Sequence, residues 1–494
     1  MWLLLIILGA ITYFLVQRSV APITRTPVWI IWLVMMMPAF VWTIWYEFVG
    51  QDQPIPLLLV VAPLIICFTV YVWLIRLGQP TTSDKNIKEN SAAVDSQDTE
   101  KSTEESQKLR PITVTEEKSL RDCFPWAVYY LQNLDYRPQA ILCRGKLRTA
   151  PEEAYKSIKK NIEQVFGDRF LVLFQEGLSG SPFFALVPNP WAKSEKKDTE
   201  KPLTRPFFAL GLLLVTLLTT TFVGAEMAGV SREMMEANSR VLLQGLPYSL
   251  GLIAILGLHE LSHYFTAVRY KIATTLPYFI PIPFFLGTFG AFIQMKSPVP
   301  HRKALFDVAV AGPLGGFIIT VPLLLWGLSL SEVVSLPMNE ASTLLDFQAL
   351  DPRFSFLFAV LAKLVLGSSF LAGKAVHLHP LAVAGYVGLI VTALNLMPVG
   401  QLDGGHIIHA MYGQRTAIIV GQLTRIFMLV LAMIRPEFLI WAILLFLMPV
   451  SDQPALNDVT ELDNKRDLLG LFSLILLLSI LLPLPGAIAN WLSI

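Results

Sequence analysis

The sequence predicts an all-α polytopic membrane protein with about nine to ten transmembrane helices, a membrane-embedded β-hairpin and a small cytosolic α+β domain. Of its 494 residues, 54% are hydrophobic and only 15% are charged, which is well below the charged fraction of typical soluble proteins. Apolar runs of roughly 20 residues, the length that crosses a ~30 Å hydrocarbon core, recur along the chain. A polar stretch after the third run predicts a region outside the bilayer. The net charge of +1 indicates no nucleic-acid partner.

Three apolar segments predict an N-terminal three-helix membrane anchor over residues 1–76, with spans at about 2–16, 28–46 and 56–75. The first segment has no basic residue before it and no evident small-residue cleavage site. We therefore expect an uncleaved anchor and not a signal peptide. Arg76 follows the third span, and the positive-inside rule then places the next part of the chain in the cytosol.

Residues 77–109 are rich in charged and small polar side chains and nearly free of large apolar ones, which predicts a disordered linker. Residues 110–200 have the patterns of a small cytosolic α+β domain, with a helix predicted from Pro151 to about residue 166. Three strands are predicted in it, at Ala140–Cys143, Phe170–Phe174 and Phe183–Val187. Because this domain shows no cluster of metal ligands and no phosphate-binding loop, we expect a docking, filtering or regulatory role.

A catalytic membrane core is predicted at residues 205–450, followed at 451–494 by a loop and a C-terminal transmembrane helix. The predicted spans are about 206–224, 245–268, 304–328, 380–398, 416–434, 437–450 and 470–488. Arg269 and Lys271 follow the second of these spans, so this helix is expected to run toward the cytosol. An apolar segment at 354–373 contains Lys363 and is expected to be peripheral or re-entrant.

The second span of the core contains the sequence His259-Glu260-Leu261-Ser262-His263 near its predicted cytosolic end. Two histidines four residues apart lie on one face of a helix, so both imidazoles can reach one zinc ion. The glutamate between them is placed to accept a proton from a water that zinc activates. Ionisable side chains at membrane depth are energetically costly, and their default explanation is a functional site. This helix therefore predicts a metalloprotease centre inside a membrane.

A third protein ligand is required, because catalytic zinc sites combine three protein ligands with one open position. Asp403 is the candidate, since it follows an apolar span in the sequence NLMPVGQLDGG, residues 395–405, where proline and glycine predict a helix break. Broken helices inside membranes are tolerated where they are buried or line a water-filled site. The predicted topology permits Asp403 to reach the depth of His259 and His263, and we predict one Zn²⁺ per chain.

The pairing of HELSH with NLMPVGQLDGG resembles the site-2 protease family of intramembrane zinc metalloproteases, peptidase family M50. The resemblance covers about residues 205–450. The linker, the α+β domain and the sequence HLHPLAVAGYVGLIVTALNLMPVGQLDGG are most similar to its cyanobacterial and chloroplast branch, the ethylene-dependent gravitropism-deficient and yellow-green type. The resemblance implies zinc ligands at His259, His263 and Asp403, an acid/base at Glu260, and Asn395 near the scissile carbonyl. A helix-break hydrogen bond to backbone is the alternative role of Asn395.

Between Lys271 and His301, prolines and β-forming residues predict two extended arms joined by a tight bend. The bend resembles the family's glycine-containing loop beside the zinc. We predict a membrane-embedded hairpin whose Gly287, Phe289 and Gly290 contact substrate, with an unwound peptide added as a further strand. A packing loop without substrate contact is the alternative.

Other candidate residues are given structural roles. His406 and His409 lack the glutamate of a catalytic pair and are expected to pack at an interface. His377 and His379 form an HxH pair in a loop predicted to lie outside, where an accessory metal site is one alternative. Asp307 lies near the start of a predicted helix, where the helix dipole favours a carboxylate.

The predicted function is an intramembrane zinc metalloendopeptidase that cleaves within or near transmembrane helices of membrane-anchored substrates, in regulated proteolysis or membrane protein quality control. The expected partners are transmembrane protein substrates and the lipid bilayer. The expected location is the plasma or thylakoid membrane, with the catalytic site toward the cytosolic side. A proteolytically inactive membrane chaperone and a metal-binding transporter or sensor stay open as alternatives, as does the oligomeric state.

Overall fold

Helices dominate the part of the chain that this computed structural model describes. The described residues are 27–49, 112–137, 140–177, 180–190, 192, 205–282, 286–335, 347–348, 350–371, 373–434 and 438–492, with isolated positions 9, 12, 13, 59, 63, 66, 67, 70 and 74. The predicted spans at 2–16 and 56–75 fall almost entirely outside these residues, and the predicted linker falls wholly outside them. The chain divides into two units, residues 1–103 and 104–494.

The first unit contains helix α1 (Val28–Val49), at the place of the second predicted span of the anchor. Its window Val28–Trp45 is long and apolar enough to cross a membrane. The indole N–H of Trp32 donates to the backbone carbonyl of Gly9 over 2.8 Å. Because a tryptophan N–H in apolar surroundings needs an acceptor, this bond ties α1 to the segment that precedes it.

The second unit begins with two helices and four strands: α2 (Val114–Asp122), β1 (Tyr129–Arg137), β2 (Ala140–Leu147), α3 (Pro151–Phe166), β3 (Phe170–Glu176) and β4 (Pro182–Pro188). The strands form one antiparallel sheet in the order β1-β2-β4-β3. The predicted helix and the three predicted strands are confirmed, while α2 and β1 are additional elements. A proline and two glutamates in the first turn of α3 explain where that helix begins.

The α+β domain has a hydrophobic core of its own. The rings of Phe174 and Phe184, from β3 and β4, stack with their centroids 4.2 Å apart. Tyr155 of α3 is buried and donates its hydroxyl to the carbonyl of Val172 over 3.1 Å, so the helix is fixed to the sheet. Burial raises the pKa of this tyrosine. The location of the domain on the cytosolic side stays a prediction.

The other helices are α4 (Pro206–Met227), α5 (Arg232–Ala237), α6 (Leu246–Arg269), α7 (Arg302–Ser329), α8 (Phe356–Leu366), α9 (Pro380–Leu396), α10 (Asp403–Ile434), α11 (Leu439–Leu447), α12 (Asn464–Leu481) and α13 (Gly486–Leu492). In the described part of the chain, five helical stretches are long and apolar enough to span a bilayer: Val28–Trp45, Pro206–Met227, Ser239–Arg269, Arg302–Ser329 and Asp403–Met433. They indicate a multi-pass membrane protein. The total of nine to ten spans stays a prediction.

Helices α6, α7 and α9 form the centre of this unit and pack closely. A Cβ atom on Gly327 of α7 would lie 2.2 Å from the backbone nitrogen of Ala382 in α9, so only glycine permits this approach. Between helices in lipid, such close van der Waals packing replaces the hydrophobic effect as the main source of association. A 2.6 Å hydrogen bond between the hydroxyls of Thr220 and Ser249 joins α4 to α6.

Helix α10 is interrupted at Gly413, whose φ is 83°, so residues 403–412 and 414–434 are two helical segments. The predicted span at 437–450 corresponds to the shorter α11. It ends there because Pro449 disfavours helical backbone at the residue before it, and Met448 is extended. Arg425 donates to the carbonyls of Met448 and Pro449 over 2.8 and 3.0 Å. The predicted last span at 470–488 corresponds to α12 and α13, which the prolines after Leu482 separate.

The predicted hairpin is present as β5 (Tyr278–Pro281) paired antiparallel with β6 (Thr288–Phe292). Gly287 adopts φ 79° at the bend. Its carbonyl accepts a 2.7 Å hydrogen bond from Thr219 of α4, which attaches the hairpin to the helices. The depth of the hairpin in the membrane stays a prediction. A second pair, β7 (Glu332–Ser335) with β8 (Lys374–His377), lies in the connection between α7 and α9.

Candidate metal centre

Helix α6 carries the two histidines of the HExxH sequence toward the centre of the bundle. A spacing of four residues places both side chains on one helix face. His259 and His263 are buried, with 4% and 7% of their surfaces exposed. Their Nε2 atoms lie 3.2 Å apart, so the two rings converge on one point.

Asp403 reaches this point from the first residue of α10, directly after the turn that follows α9. Its Oδ2 atom lies 3.4 Å from Nε2 of His259 and 3.3 Å from Nε2 of His263. The two glycines that follow it make the turn possible. A Cβ on Gly404 would lie 1.9 Å from the carbonyl oxygen of Leu396, so no side chain fits there. The LDGG sequence thereby brings a carboxylate 140 residues away in the chain to the face of α6.

The three donor atoms fit a zinc ion. Two imidazole nitrogens and one carboxylate oxygen are common zinc ligands, and a tetrahedral ion with bonds of ~2.0–2.1 Å separates its ligand atoms by about 3.3 Å. The observed separations of 3.2, 3.3 and 3.4 Å agree with that value. Among the described residues, this is the one group of three or more His, Cys, Asp or Glu whose donor atoms lie within 4.8 Å of one another.

Helix α7 fixes the orientation of His263. The Nδ1–H of this ring donates to the carbonyl of Val308 over 2.7 Å, which leaves the Nε2 lone pair for a metal. Gly312, one turn further along α7, lies against the same ring, because a Cβ there would be 2.0 Å from Nε2 of His263. Gly316 lies against His259 in the same way but less closely. The sequence indicates only that the small residues of α7 pack against other helices, and their contact with the histidines is a finding of the structure.

Glu260 and Asn395 lie beside the three donor atoms. The carboxylate of Glu260 is 3.9 Å from Nε2 of His259 and accepts a hydrogen bond from the backbone N–H of Ile293, the residue directly after β6. Nδ2 of Asn395, near the end of α9, lies 3.3 Å from the same His259 nitrogen. A carboxylate and a side-chain amide therefore lie beside the point where the three donor atoms meet.

The hairpin residues named from the sequence have different environments. Gly287 is buried at the bend, where a Cβ would meet the backbone of Thr220 at 2.7 Å, so its role is attachment to α4. The side chain of Phe289 is 70% exposed. Gly290 has φ 105° and open space around its Cα. The structure thus leaves Phe289 and Gly290 accessible, but not Gly287.

A cavity of about 530 Å³ opens beside the metal-binding point. His259, Glu260 and Asn395 lie at its wall, and Thr288, Phe289, Gly290 and Ala291 of β6 contribute one side. Residues late in the chain also line it: Phe438, Trp441, Leu444, Ile480 and Leu481. Nearly all of the lining is apolar, so the cavity suits apolar side chains.

Other polar candidates from the sequence have structural partners. Asp307 does not act only through the helix dipole, because it pairs with the Arg466 guanidinium through two 2.7 Å bonds and accepts from the Tyr270 hydroxyl. His379 accepts a hydrogen bond from the backbone of Leu381 and caps α9. His409 is fully buried and lies between two carboxylates that the sequence does not connect with it.

The profile of peptidase family M50 matches residues 247–434. The chain is 30% identical over 370 residues to "Probable zinc metalloprotease EGY2, chloroplastic" of Arabidopsis thaliana, covering 74% of this chain and 64% of that protein. It is 29% identical over 378 residues to "Probable zinc metalloprotease EGY1, chloroplastic" of the same plant, covering 71% of this chain and 67% of that protein. The chain therefore spans about two thirds or less of the length of these relatives. No solved structure matches it.

Proposed function

Because the chain belongs to peptidase family M50, we propose that it is an intramembrane zinc metalloendopeptidase that hydrolyses peptide bonds within or near the transmembrane helices of membrane-anchored proteins. One observation carries the proposal: His259, His263 and Asp403 converge beside Glu260 at the wall of an apolar cavity. Neither a packing role nor an isolated buried charge accounts for three such donors so close together.

The residues around the metal-binding point have three separate roles in the proposed reaction: metal binding, proton transfer and hydrogen bonding to the substrate carbonyl. His259, His263 and Asp403 would hold zinc, which supplies Lewis-acid activation of a water molecule and of the peptide carbonyl when it is bound. Glu260 accepts a proton from the attacking water and passes it to the nitrogen of the leaving amine. The amide of Asn395 donates a hydrogen bond to the carbonyl oxygen as negative charge develops there, a contact worth roughly 3–4 kcal/mol in other enzymes.

The cavity supports a substrate with apolar side chains. A transmembrane helix offers such side chains, but its amide groups are bonded internally, so its scissile segment must first unwind. Strand β6 pairs with β5 along one edge, and its residues Thr288–Ala291 line the cavity. Addition of the unwound segment to β6 would hold it extended beside Glu260.

The proposed location is the plasma or thylakoid membrane, with the metal centre toward the cytosolic side. Arg269 and Lys271, at the end of the HExxH helix, support this orientation through the positive-inside rule. The relatives named as chloroplastic support the thylakoid as one location. A cysteine introduced at the exposed residue Glu332 tests the orientation. We expect an impermeant thiol reagent to label it from the non-cytosolic face, and labelling from the cytosolic face alone would reverse the topology.

Cleavage by purified protein tests the activity and the alternatives together. Wild type, Glu260→Gln and the exposed control Glu233→Gln are incubated in detergent with a tagged transmembrane substrate. We expect specific fragments from wild type and the control, and none from Glu260→Gln. Equal fragments from all three would refute the proposed role of Glu260. A tight complex with intact substrate and no fragments would favour the chaperone, and zinc uptake into proteoliposomes without fragments would favour the transporter.

A further inference from the structure

Residues 452–459, here called the clasp, connect the α+β domain with the membrane helices. The N–H of Phe174 in β3 donates to the carbonyl of Leu456 over 2.7 Å, and the N–H of Asp458 donates to the carbonyl of Phe174 over 2.9 Å. Leu456 and Val459 also pack against the hydrophobic core of the domain. The clasp thus extends the sheet of the domain beyond β3 by a short parallel bridge.

The other edge of the clasp is bonded to the start of α7. The N–H of Leu456 donates to the carbonyl of Val299 over 2.9 Å, and the N–H of Asn457 donates to the carbonyl of Pro300 over 3.1 Å. Arg302 follows directly, is buried, and donates through its guanidinium to the carbonyls of His409 and Ala410. Helix α7 also carries Val308 and Gly312, which orient His263 (above), so the clasp lies at the base of that element.

Two carboxylates of the clasp hold the helical segment that begins with Asp403. His409 is completely buried, and its Nδ1 lies 2.7 Å from Oδ2 of Asp452 while its Nε2 lies 3.0 Å from Oδ2 of Asp458. His406 Nδ1 lies 2.7 Å from the same Asp452 oxygen. Ionised carboxylates only accept hydrogen bonds, so both ring nitrogens of His409 act as donors.

The position of residues 403–412 depends on these bonds. The break at Gly413 separates this segment from the rest of α10, so the longer helix does not impose its direction. The segment has the metal ligand Asp403 at its first residue and His409 six residues later, about 9 Å along the axis. Its far end is held by the clasp and by Arg302. A rotation there would move the carboxylate at the near end.

We propose that His409, held by Asp452 and Asp458, is a positioning residue for the metal ligand Asp403, and that docking of the α+β domain on the clasp fixes that position. The domain then belongs to the metal-binding unit and is more than a tether. The inference rests on the metal centre proposed above, but it does not depend on which substrate is cleaved. Mutation of a residue that orients a metal ligand without binding the metal itself typically lowers metal affinity or activity by roughly 10–100-fold.

Two variants separate positioning from folding. Leu456→Ala removes a side chain that packs against the domain, with Leu468→Ala, an exposed leucine of α12, as its control. The triple variant His409→Leu/Asp452→Asn/Asp458→Asn removes the imidazole together with the two carboxylates it binds, so neither carboxylate is left buried as a charge without that imidazole. Zinc affinity of the full-length metal-free protein in detergent is measured by competition with a chromophoric chelator, alongside its unfolding temperature and its kcat and KM.

We expect zinc affinity to fall roughly 10–100-fold in the triple variant and about 5–10-fold in Leu456→Ala. Leu468→Ala should match wild type, and the triple variant should recover the unfolding temperature that His409→Leu alone loses. If the triple variant recovers unfolding temperature and zinc affinity together, or if Leu456→Ala binds zinc as wild type does, the positioning role is refuted. Weakened zinc binding in a protein whose wild type cleaves nothing would instead sink the proposed function and leave this inference standing.

Discussion

Replacing Gly312 with alanine is predicted to displace a metal ligand without changing the charge or polarity of the site. The added Cβ would lie 2.0 Å from Nε2 of His263, 2.4 Å from its Cε1 and 2.5 Å from its Cδ2. Non-bonded carbon atoms prefer separations of about 3.5–4.0 Å, so the ring would have to move by roughly 1.5 Å. It cannot turn in place, because its Nδ1–H is bonded to Val308 on the same helix.

The displacement is large compared with the tolerance of a zinc site, where ligand distances vary by about ±0.2 Å. We therefore expect Gly312→Ala to lower zinc affinity by about 100-fold or more, and to abolish cleavage. Overpacking of this kind costs about 1–3 kcal/mol. Without the clash, the same substitution would stabilise a helix by about 1 kcal/mol. A loss of stability would therefore indicate that the clash is present, and a gain would indicate that it is absent.

Chelator competition and thermal unfolding of purified variants measure both effects. Gly316→Ala is the graded comparison, because its Cβ would lie 3.2 Å from Cβ of His259 and needs a shift of only a few tenths of an ångström. Gly211→Ala in α4 is the control, since nothing lies within 4 Å of its added Cβ. Zinc affinity should rank Gly211→Ala above Gly316→Ala above Gly312→Ala. Wild-type zinc binding by Gly312→Ala, with equal or higher stability, would show that α7 does not contact the metal ligand as described.

Two further predictions concern the substrate. Trp441→Ala should enlarge the apolar cavity and raise kcat/KM for substrates with bulkier side chains at the scissile bond by about tenfold relative to smaller ones. Leu447→Ala, which changes an exposed residue of the same helix, should leave the ratio of the two kcat/KM values unchanged. An unchanged ratio in both variants would show that Trp441 does not contact the substrate. Gly290→Ala should strain the edge of β6, because a φ of 105° disfavours side chains, and should lower kcat/KM about tenfold while zinc affinity stays constant. Gly373→Ala is the matched control, because Gly373 also has a positive φ, 77°, and open space around an added Cβ. Equal kinetics in the two variants would argue against strand addition at β6.

Local patterns were sufficient to predict three residues whose donor atoms the structure brings together. His259 and His263 are four residues apart in a helix, and Asp403 stands where proline and glycine end an apolar span. The reach of Asp403 across the chain depends on the turn at Gly404, whose close approach to Leu396 is a tertiary contact. The sequence therefore indicates which residues meet, while the packing that brings them together is visible only in the fold.

The contributions of distant segments could not be predicted from local patterns. Part of the cavity wall comes from Phe438, Trp441 and the end of α12, which carry no motif. The sequence around His409 predicts an ordinary packing residue, because its partners Asp452 and Asp458 lie in a loop more than forty residues later in the chain. The contact between Gly312 and His263 likewise requires the relative position of two helices, and one sequence contains no direct measure of that position.

X-ray absorption at the zinc edge of the purified protein tests the central claim most directly. We predict one zinc per chain, bound by two imidazole nitrogens and a carboxylate oxygen at ~2.0–2.2 Å, in wild type and in Glu260→Gln. Asp403→Ala should lose the carboxylate oxygen from the spectrum and most of the bound metal. Full zinc occupancy with an unchanged spectrum in Asp403→Ala would contradict the account.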